Sequence, residues 1–358
     1  MITTPEDITV EWLNTCLSEA GHGDTPITSF AAKPIGTGQL GECVRLTLAG
    51  NTITNGGTAP ATLVAKLPST NPTSRATGVA LRSYIKEVRF YQELQHRLSI
   101  RTPICYFADI DGEGPDFVLL LEDLAPAVQG DQLGGCSVVE ADAAVQQLVG
   151  LHAPTWNDAS LRDVEWLGVP DPDSIELVRG LYQGQLAAFL DRFGSGLTTD
   201  QAGVISALGA AADAPPFSLL PENYSAVHTD YRLDNVLIDS TPATPTVAAV
   251  DWQGVRVGQP LSDVAYFLGA GLLAEERRGA ERAIVDAYHQ RLTEAGVAGY
   301  DAATCWDDYR RGTFSGLIVT VIAALLVEQT ERGDAMFAAM AERHSQHVLD
   351  LDALEFLS

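Results

Sequence analysis

The stretch Val227-His228-Thr229-Asp230-Tyr231-Arg232-Leu233-Asp234-Asn235 decides how the rest of the chain is read. Apolar residues flank its polar core, at 224–227 before it and 236–238 after it. That pattern predicts a short strand, a tight polar loop and a second short strand. The loop presents His228, Asp230 and Asn235 in the spacing H-x-D-x-x-x-x-N. Asp251 follows sixteen residues after Asn235, at the end of the apolar run 247–250. Phosphoryl transfer needs a carboxylate to orient and accept the proton of an attacking hydroxyl, and oxygen ligands that hold Mg²⁺ against nucleotide phosphates. Asp230 suits the first role; Asn235 and Asp251 suit the second. Asp and Asn also make ordinary turn hydrogen bonds, so the reading needs support from elsewhere in the chain.

Toward the N-terminus, residues 27–33 read as a strand, followed by Gly36-Thr37-Gly38-Gln39-Leu40-Gly41, a G-x-G-x-x-G. In a dinucleotide-binding unit a helix comes next. Here residues 43–48 alternate as Cys, Val, Arg, Leu, Thr, Leu, which predicts a strand. In kinases a Gly-rich hairpin between strands covers nucleotide phosphates, the role open to Gly36, Gly38 and Gly41; an ordinary hairpin has the same composition. Residues 62–66 form a short buried strand ending in Lys66. A lysine there costs free energy unless paired, and Glu87, on a helix predicted over 81–97, is the candidate partner. Such a Lys–Glu pair holds the α- and β-phosphates in kinases. Strands over 105–110 and 116–122 are joined by a turn at 111–115. The second runs into a connector at Asp123-Leu124-Ala125-Pro126, where the Glu122 carbonyl and the Leu124 amide would meet an adenine edge.

After the connector the chain reads as largely helical. Ser137-Val138-Val139-Glu140 is a capping-box signature opening a helix through 153, with His152 near its end as a structural polar contact. Further helices are predicted over 174–193, 276–295, 309–327 and 334–351. Another contains Val264, Phe267 and Leu268, and Asp263 in its first turn reads as architectural. At the N-terminus, Thr4-Pro5-Glu6-Asp7 reads as the start of a helix that turns Leu13 and Leu17 to the core. Phe314 and Ile318, on the helix 309–327, are expected to line an apolar acceptor cleft; the plainer reading makes that helix core. Its apolar run, 316–327, is shorter than a membrane span.

The 358 residues suffice for two domains, and 46% hydrophobic composition supports a real core. With 22 Lys+Arg against 47 Asp+Glu, the formal charge of −25 argues against nucleic acid and anionic membranes as partners. Five scattered cysteines without a C-x-x-C argue against a disulfide framework or structural zinc. With no apolar leader over 1–10, the expectation is a soluble, cytoplasmic protein.

Gly-rich hairpin, Lys66, Glu87, connector, Asp230 loop and Asp251 come in kinase order. The fold expected is α+β, bilobal and protein-kinase-like. An N-lobe over 1–123 holds an antiparallel sheet and a helix; a mainly helical C-lobe spans 124–358. His228-Thr229-Asp230-Tyr231-Arg232-Leu233-Asp234-Asn235 and Val250-Asp251-Trp252 resemble the aminoglycoside phosphotransferase/choline kinase family. Leu119-Leu120-Leu121-Glu122-Asp123-Leu124, with Leu151-His152-Ala153 and Trp156, is most similar to its ecdysteroid-kinase-like bacterial branch. The resemblance implies Asp230 as catalytic base, Asn235 and Asp251 as Mg²⁺ ligands, Lys66 as the phosphate-binding lysine and Glu87 as its partner. It implies ATP and Mg²⁺ as cofactors and a small hydroxylated molecule as acceptor. Thr229 inside H-x-D, Trp252-Gln253 after the metal Asp and the missing A-P-E depart from protein kinases. Two other readings stay open: a catalytically silent nucleotide-binding protein of the same fold, and a protein kinase.

Overall fold

A computed structural model describes residues 1–22, 26–36, 40–50, 60–211, 217, 219–327 and 329–357. The chain divides into two compact units. The first comprises residues 1–96, 102–125 and 251–253. It contains α1 (Val10–Glu19), β1 (Ser29–Ile35), β2 (Gly41–Ala49), β3 (Thr62–Pro68), α2 (Pro72–Ala80), α3 (Ser83–Arg89), β4 (Cys105–Ile110) and β5 (Phe117–Glu122). The strands form one antiparallel sheet in the order β1-β2-β3-β5-β4. Alternation along β2 and β3 turns Val44, Leu46, Leu48, Leu63, Ala65 and Leu67 inward, where they pack with Leu13 and Leu17 of α1. A period of two on one buried face sets that register.

Two local expectations change. Thr4 does close a capping box, but over a single 3₁₀ turn, Pro5–Asp7. Ile8 then adopts an extended conformation, and Thr9 caps α1 by accepting from the Trp12 amide at 3.1 Å. The predicted helix over 81–97 is also broken: α2 precedes it, Arg82 turns with φ 56°, and α3 gives way to a π-helical turn, Phe90–Leu94. That wide turn carries Phe90, whose ring stacks on Trp252 at 3.9 Å and 6°. Widened turns of this kind are frequent at functional sites.

The second unit comprises residues 97–101, 126–250 and 254–358. Its elements begin with β6 (Val128–Gln129), α4 (Val138–His152), α5 (Pro172–Phe193), α6 (Thr199–Ala210), β7 (Ser225–Val227) and β8 (Val236–Asp239). They continue with β9 (Thr246–Ala249), β10 (Arg256–Gly258), α7 (Leu261–Gly271), α8 (Ala274–Glu294), α9 (Ala302–Leu326) and α10 (Glu331–Asp350). The strands on either side of the 228–235 loop do not pair with each other. β7 pairs with β10, whereas β8 lies between β6 and β9. The loop therefore passes from one small sheet to the other.

The core of this unit draws side chains from α5, α6, α7, α9 and α10. Phe314 is fully buried and Ile318 nearly so, both within that core. The expectation that they line an acceptor cleft is thereby corrected: a helix packed on several sides is apolar on several sides. The run 316–327 belongs to the 25-residue α9, which by length and composition alone could cross a membrane. Of its apolar window, 56% is buried inside the protein, the pattern of a core helix.

An ionic network ties α8, α9 and α10 together. The Arg277 side chain is fully buried and pairs with Glu281 at 2.9 Å and with Asp350. Tyr309 donates to Glu281 at 2.9 Å, and the His347 ring lies 3.1 Å from the same carboxylate. Burial works against ionised Glu281, but His347, Arg277 and Tyr309 outweigh it and hold its pKa below the ordinary glutamate value. Arg277→Met is expected to lower the unfolding free energy by up to about 3–5 kcal/mol, because it removes the buried cation facing Glu281, while Asp350 keeps Arg278 at 2.8 Å. Urea denaturation measures this; a loss below about 1 kcal/mol would show that the network is dispensable.

Candidate active site

The 228–235 loop is held by α7. The Asp263 carboxylate, in the first turn of α7 and buried, accepts the backbone amides of His228 at 2.7 Å and Thr229 at 2.9 Å. Thr229 has φ 70°, a left-handed conformation that a β-branched residue rarely adopts. Its hydroxyl donates to the Gly254 carbonyl at 3.0 Å. His152 is fully buried behind this point, with Nδ1 2.7 Å from the Tyr288 hydroxyl and Nε2 3.3 Å from Asp263. Its setting is that of a structural contact. Tyr231 donates to the Ala144 carbonyl of α4 at 2.8 Å. The loop is thus fixed from α4 and α7 before any ligand is considered.

Asp230 projects from this frame with its side chain about one-third exposed. Its Oδ1 accepts from the Tyr266 hydroxyl at 2.8 Å and from Arg232 Nε at 3.0 Å; its Oδ2 accepts from Asn235 Nδ2 at 2.7 Å. Asn235 Nδ2 also donates to the Asp230 carbonyl at 2.9 Å. Two oxygens on that side force the Asn235 amide to present its nitrogen, which turns Oδ1 away. Arg232 continues to Asp234 at 2.9 Å, and Arg332 pairs with Asp234 at 3.0 Å. Burial opposes the Arg232 charge, but Asp230, Tyr266 and Asp234 prevail and raise its pKa above that of an ordinary arginine.

In the first unit, Lys66 Nζ lies 2.7 Å from Glu87 Oε1 and 2.9 Å from Asp251 Oδ1. The expected strand-to-helix pair is present, and Asp251 joins it. Burial acts to discharge Lys66, yet Asp251 and Glu87 reverse this and raise its pKa above the ordinary lysine value. Glu87 is pushed up by its own burial and by Asp251, with Lys66 opposing. One cation against two carboxylates leaves a surplus negative charge, and Asp251, 27% exposed, is the carboxylate that solvent reaches. Asp251 has φ 67°, and its Oδ2 accepts from Gln253 at 2.8 Å. Strained backbone of this kind clusters at functional sites.

The Gly-rich segment is described in part. Gly36 has φ 73°, and Gly38 lies outside the described residues. A Cβ on Gly41 would stand 3.1 Å from the Leu67 carbonyl and 3.3 Å from Lys66 Cε, so a side chain there would press on the lysine. The Glu122 amide donates to the Ile104 carbonyl at 2.8 Å, and its carboxylate accepts the Ile104 amide at 3.0 Å. Leu124 follows β5, half-buried.

Among the described residues, no group of three or more His, Cys, Asp or Glu is arranged to hold a metal ion. Mg²⁺ needs no such cage. It takes one or two protein oxygens and completes its shell with phosphates and water. The Asp251 carboxylate in the first unit, with its surplus charge, and the turned-away Asn235 Oδ1 in the second are each hard oxygen donors of the kind Mg²⁺ takes. Tyr266 and Arg232 were missing from the sequence-derived site. Arg232 lay inside the quoted stretch, and Tyr266 stands three residues beyond Asp263, on the same helical face.

The chain matches choline kinase from Cryptosporidium parvum Iowa II with a TM-score of 0.56 and 10% identity, over 96% of this chain and 98% of that one. It matches a Ralstonia eutropha JMP134 protein assigned to the aminoglycoside phosphotransferases with a TM-score of 0.52 and 17% identity, over 95% and 98%. A third match is the GDP complex of wild-type aminoglycoside 2'-phosphotransferase-IIIa, with a TM-score of 0.51 and 14% identity, over 89% and 91%. At these identities the likeness establishes the fold, which is α+β and kinase-like, as the sequence led us to expect. No curated protein matches the chain. The sequence pattern of the phosphotransferase enzyme family matches residues 53–303, well over half of the chain, a span that contains Lys66, Glu87, Asp230, Asn235 and Asp251. The chain belongs to the phosphotransferase enzyme family.

Proposed function

We propose that the protein transfers the γ-phosphate of ATP to a hydroxyl of a small molecule, with Mg²⁺ as cofactor. The observation that carries this reading is Lys66 bridging Glu87 and Asp251 at 2.7 and 2.9 Å. A buried lysine held by two carboxylates, one of them open to solvent, is suited to phosphates on one side and a divalent cation on the other. Lys66 grips the α- and β-phosphates, and Glu87 aims it. Gly36, Gly38 and Gly41 cover the phosphates, while the Glu122 carbonyl and the Leu124 amide meet the adenine edge. Asn235 and Asp251 would hold Mg²⁺, which when bound neutralises charge on the β- and γ-phosphates.

Asp230 orients the acceptor. The hydroxyl oxygen forms a bond to the γ-phosphorus, the bond from that phosphorus to the β,γ-bridging oxygen breaks, and ADP leaves with the electron pair. The hydroxyl proton passes to Asp230. The absence of A-P-E and of Phe-Gly after Asp251 supports a small acceptor over a protein. The structural neighbours support it too: one is a choline kinase, and another, with a TM-score of 0.50, is a complex with GDP and kanamycin.

Asp230→Asn is expected to reduce turnover by ~10²–10⁴-fold, the usual weight of a general base. Its Mg·ATP affinity should stay within a few-fold of wild type. Steady-state kinetics beside calorimetric ATP binding measures both, and near-wild-type kcat would remove Asp230 from this role. For the metal, Asp251→Ala is expected to abolish the Mg²⁺ dependence of ATP binding, with Asn235→Ala, which loses a neutral ligand, having a smaller effect. Equal wild-type affinity for ATP with and without Mg²⁺ would contradict the scheme.

A further inference from the structure

Resting on the phosphotransfer reading above, we propose that Tyr266 and Arg232 are positioning residues that occupy Oδ1 of Asp230 and reserve Oδ2 for the acceptor hydroxyl. A carboxylate has about two lone-pair sites on each oxygen. Both on Oδ1 are taken, by Tyr266 at 2.8 Å and Arg232 Nε at 3.0 Å. Among the described residues Oδ2 accepts only from Asn235 Nδ2, at 2.7 Å, which leaves one site on that oxygen. The two oxygens are therefore inequivalent before substrate arrives, and the carboxylate cannot turn over without breaking three hydrogen bonds.

Tyr266 is built into this position. It is 1% exposed, and its ring lies 5.2 Å from that of the fully buried His344. Burial, followed by the charge of Asp230, pushes its hydroxyl well above the ordinary tyrosine value, so it keeps its proton and donates. Asp263 and Tyr266 share one face of α7 at i and i+3. The first holds the backbone of residues 228 and 229; the second holds the side chain of residue 230. One helical turn thus sets both the course of the loop and the rotamer of its carboxylate. Arg232 is aimed in the same way by Asp234, which is itself clamped by Arg332.

The test is Tyr266→Phe in the full chain, with Tyr182→Phe as control. Tyr182 is another fully buried tyrosine, whose hydroxyl donates to the Ile205 carbonyl at 3.0 Å. Turnover of Mg·ATP is followed by ADP formation, with water or a panel of hydroxylated compounds as acceptor. Tyr266→Phe is expected to lower kcat about tenfold or more, since it removes a hydrogen bond to a charged group that must be aligned. Its KM for ATP should remain near wild type, and Tyr182→Phe should leave both constants in place. Wild-type kcat in Tyr266→Phe, or the same change in kcat and KM in both variants, would overturn the proposal. Asp230→Asn separates the two levels of inference. If it stays active, the role of Asp230 fails; if it is inert while Tyr266→Phe is unimpaired, only the positioning role fails.

Discussion

Two backbone amides, those of His228 and Thr229, converge on the buried Asp263 carboxylate at 2.7 and 2.9 Å, and the loop that follows takes its course from that pair of bonds. A β-branched residue at φ 70° costs on the order of 1–3 kcal/mol. Each hydrogen bond to a charged group returns about 1.5–3 kcal/mol. The bonds therefore outweigh the strain, and the turn is held where a relaxed loop would not stay. With Thr229 turned in this way, Asp230 comes out beside Tyr266 of the same helix, and Asn235 folds back onto Asp230. Removing the Asp263 carboxylate would release the backbone first and the chemistry with it.

The second constraint is electrostatic. A chain of formal charge −25 repels phosphate groups, so a buried cation stands against the general field. Lys66 is one, kept charged by the two carboxylates that grip it. Their two charges exceed the one on Lys66, and the surplus sits at Asp251, the carboxylate that solvent reaches. On the proposed reading, a preference for Mg·ATP over bare ATP would follow from that count of charges.

Much of this was legible in the sequence because period and order carry it. Alternation in 43–48 argued for a strand after the glycines where a helix would have meant another fold, and β2 is there. A lysine ending an apolar strand demanded a partner, and Glu87 supplies it. What was missed depends on tertiary packing. Thr4 and Thr9 are both good caps, and only the extended Ile8 between them shows which one opens α1. The π-helical turn at Phe90 coincides with a stack on Trp252, a residue 162 positions away (252 − 90) that helical periodicity cannot see. Phe314 and Ile318 looked like cleft residues because α9 is apolar beyond one face; its neighbours on several sides account for the excess. Tyr266 was hidden for the opposite reason, since an aromatic residue on an apolar helix reads as core until its hydroxyl is seen to reach Asp230.

The most direct test of the account is ³¹P NMR of the purified full chain with ATP, Mg²⁺ and a mixture of hydroxylated metabolites. The account predicts that the γ-phosphate resonance of ATP declines as a phosphomonoester resonance grows in equal amount. It also predicts that chelating Mg²⁺ or replacing Asp230 by Asn stops both changes. Loss of the γ-phosphate at an undiminished rate in Asp230→Asn, or in the presence of chelator, would contradict it.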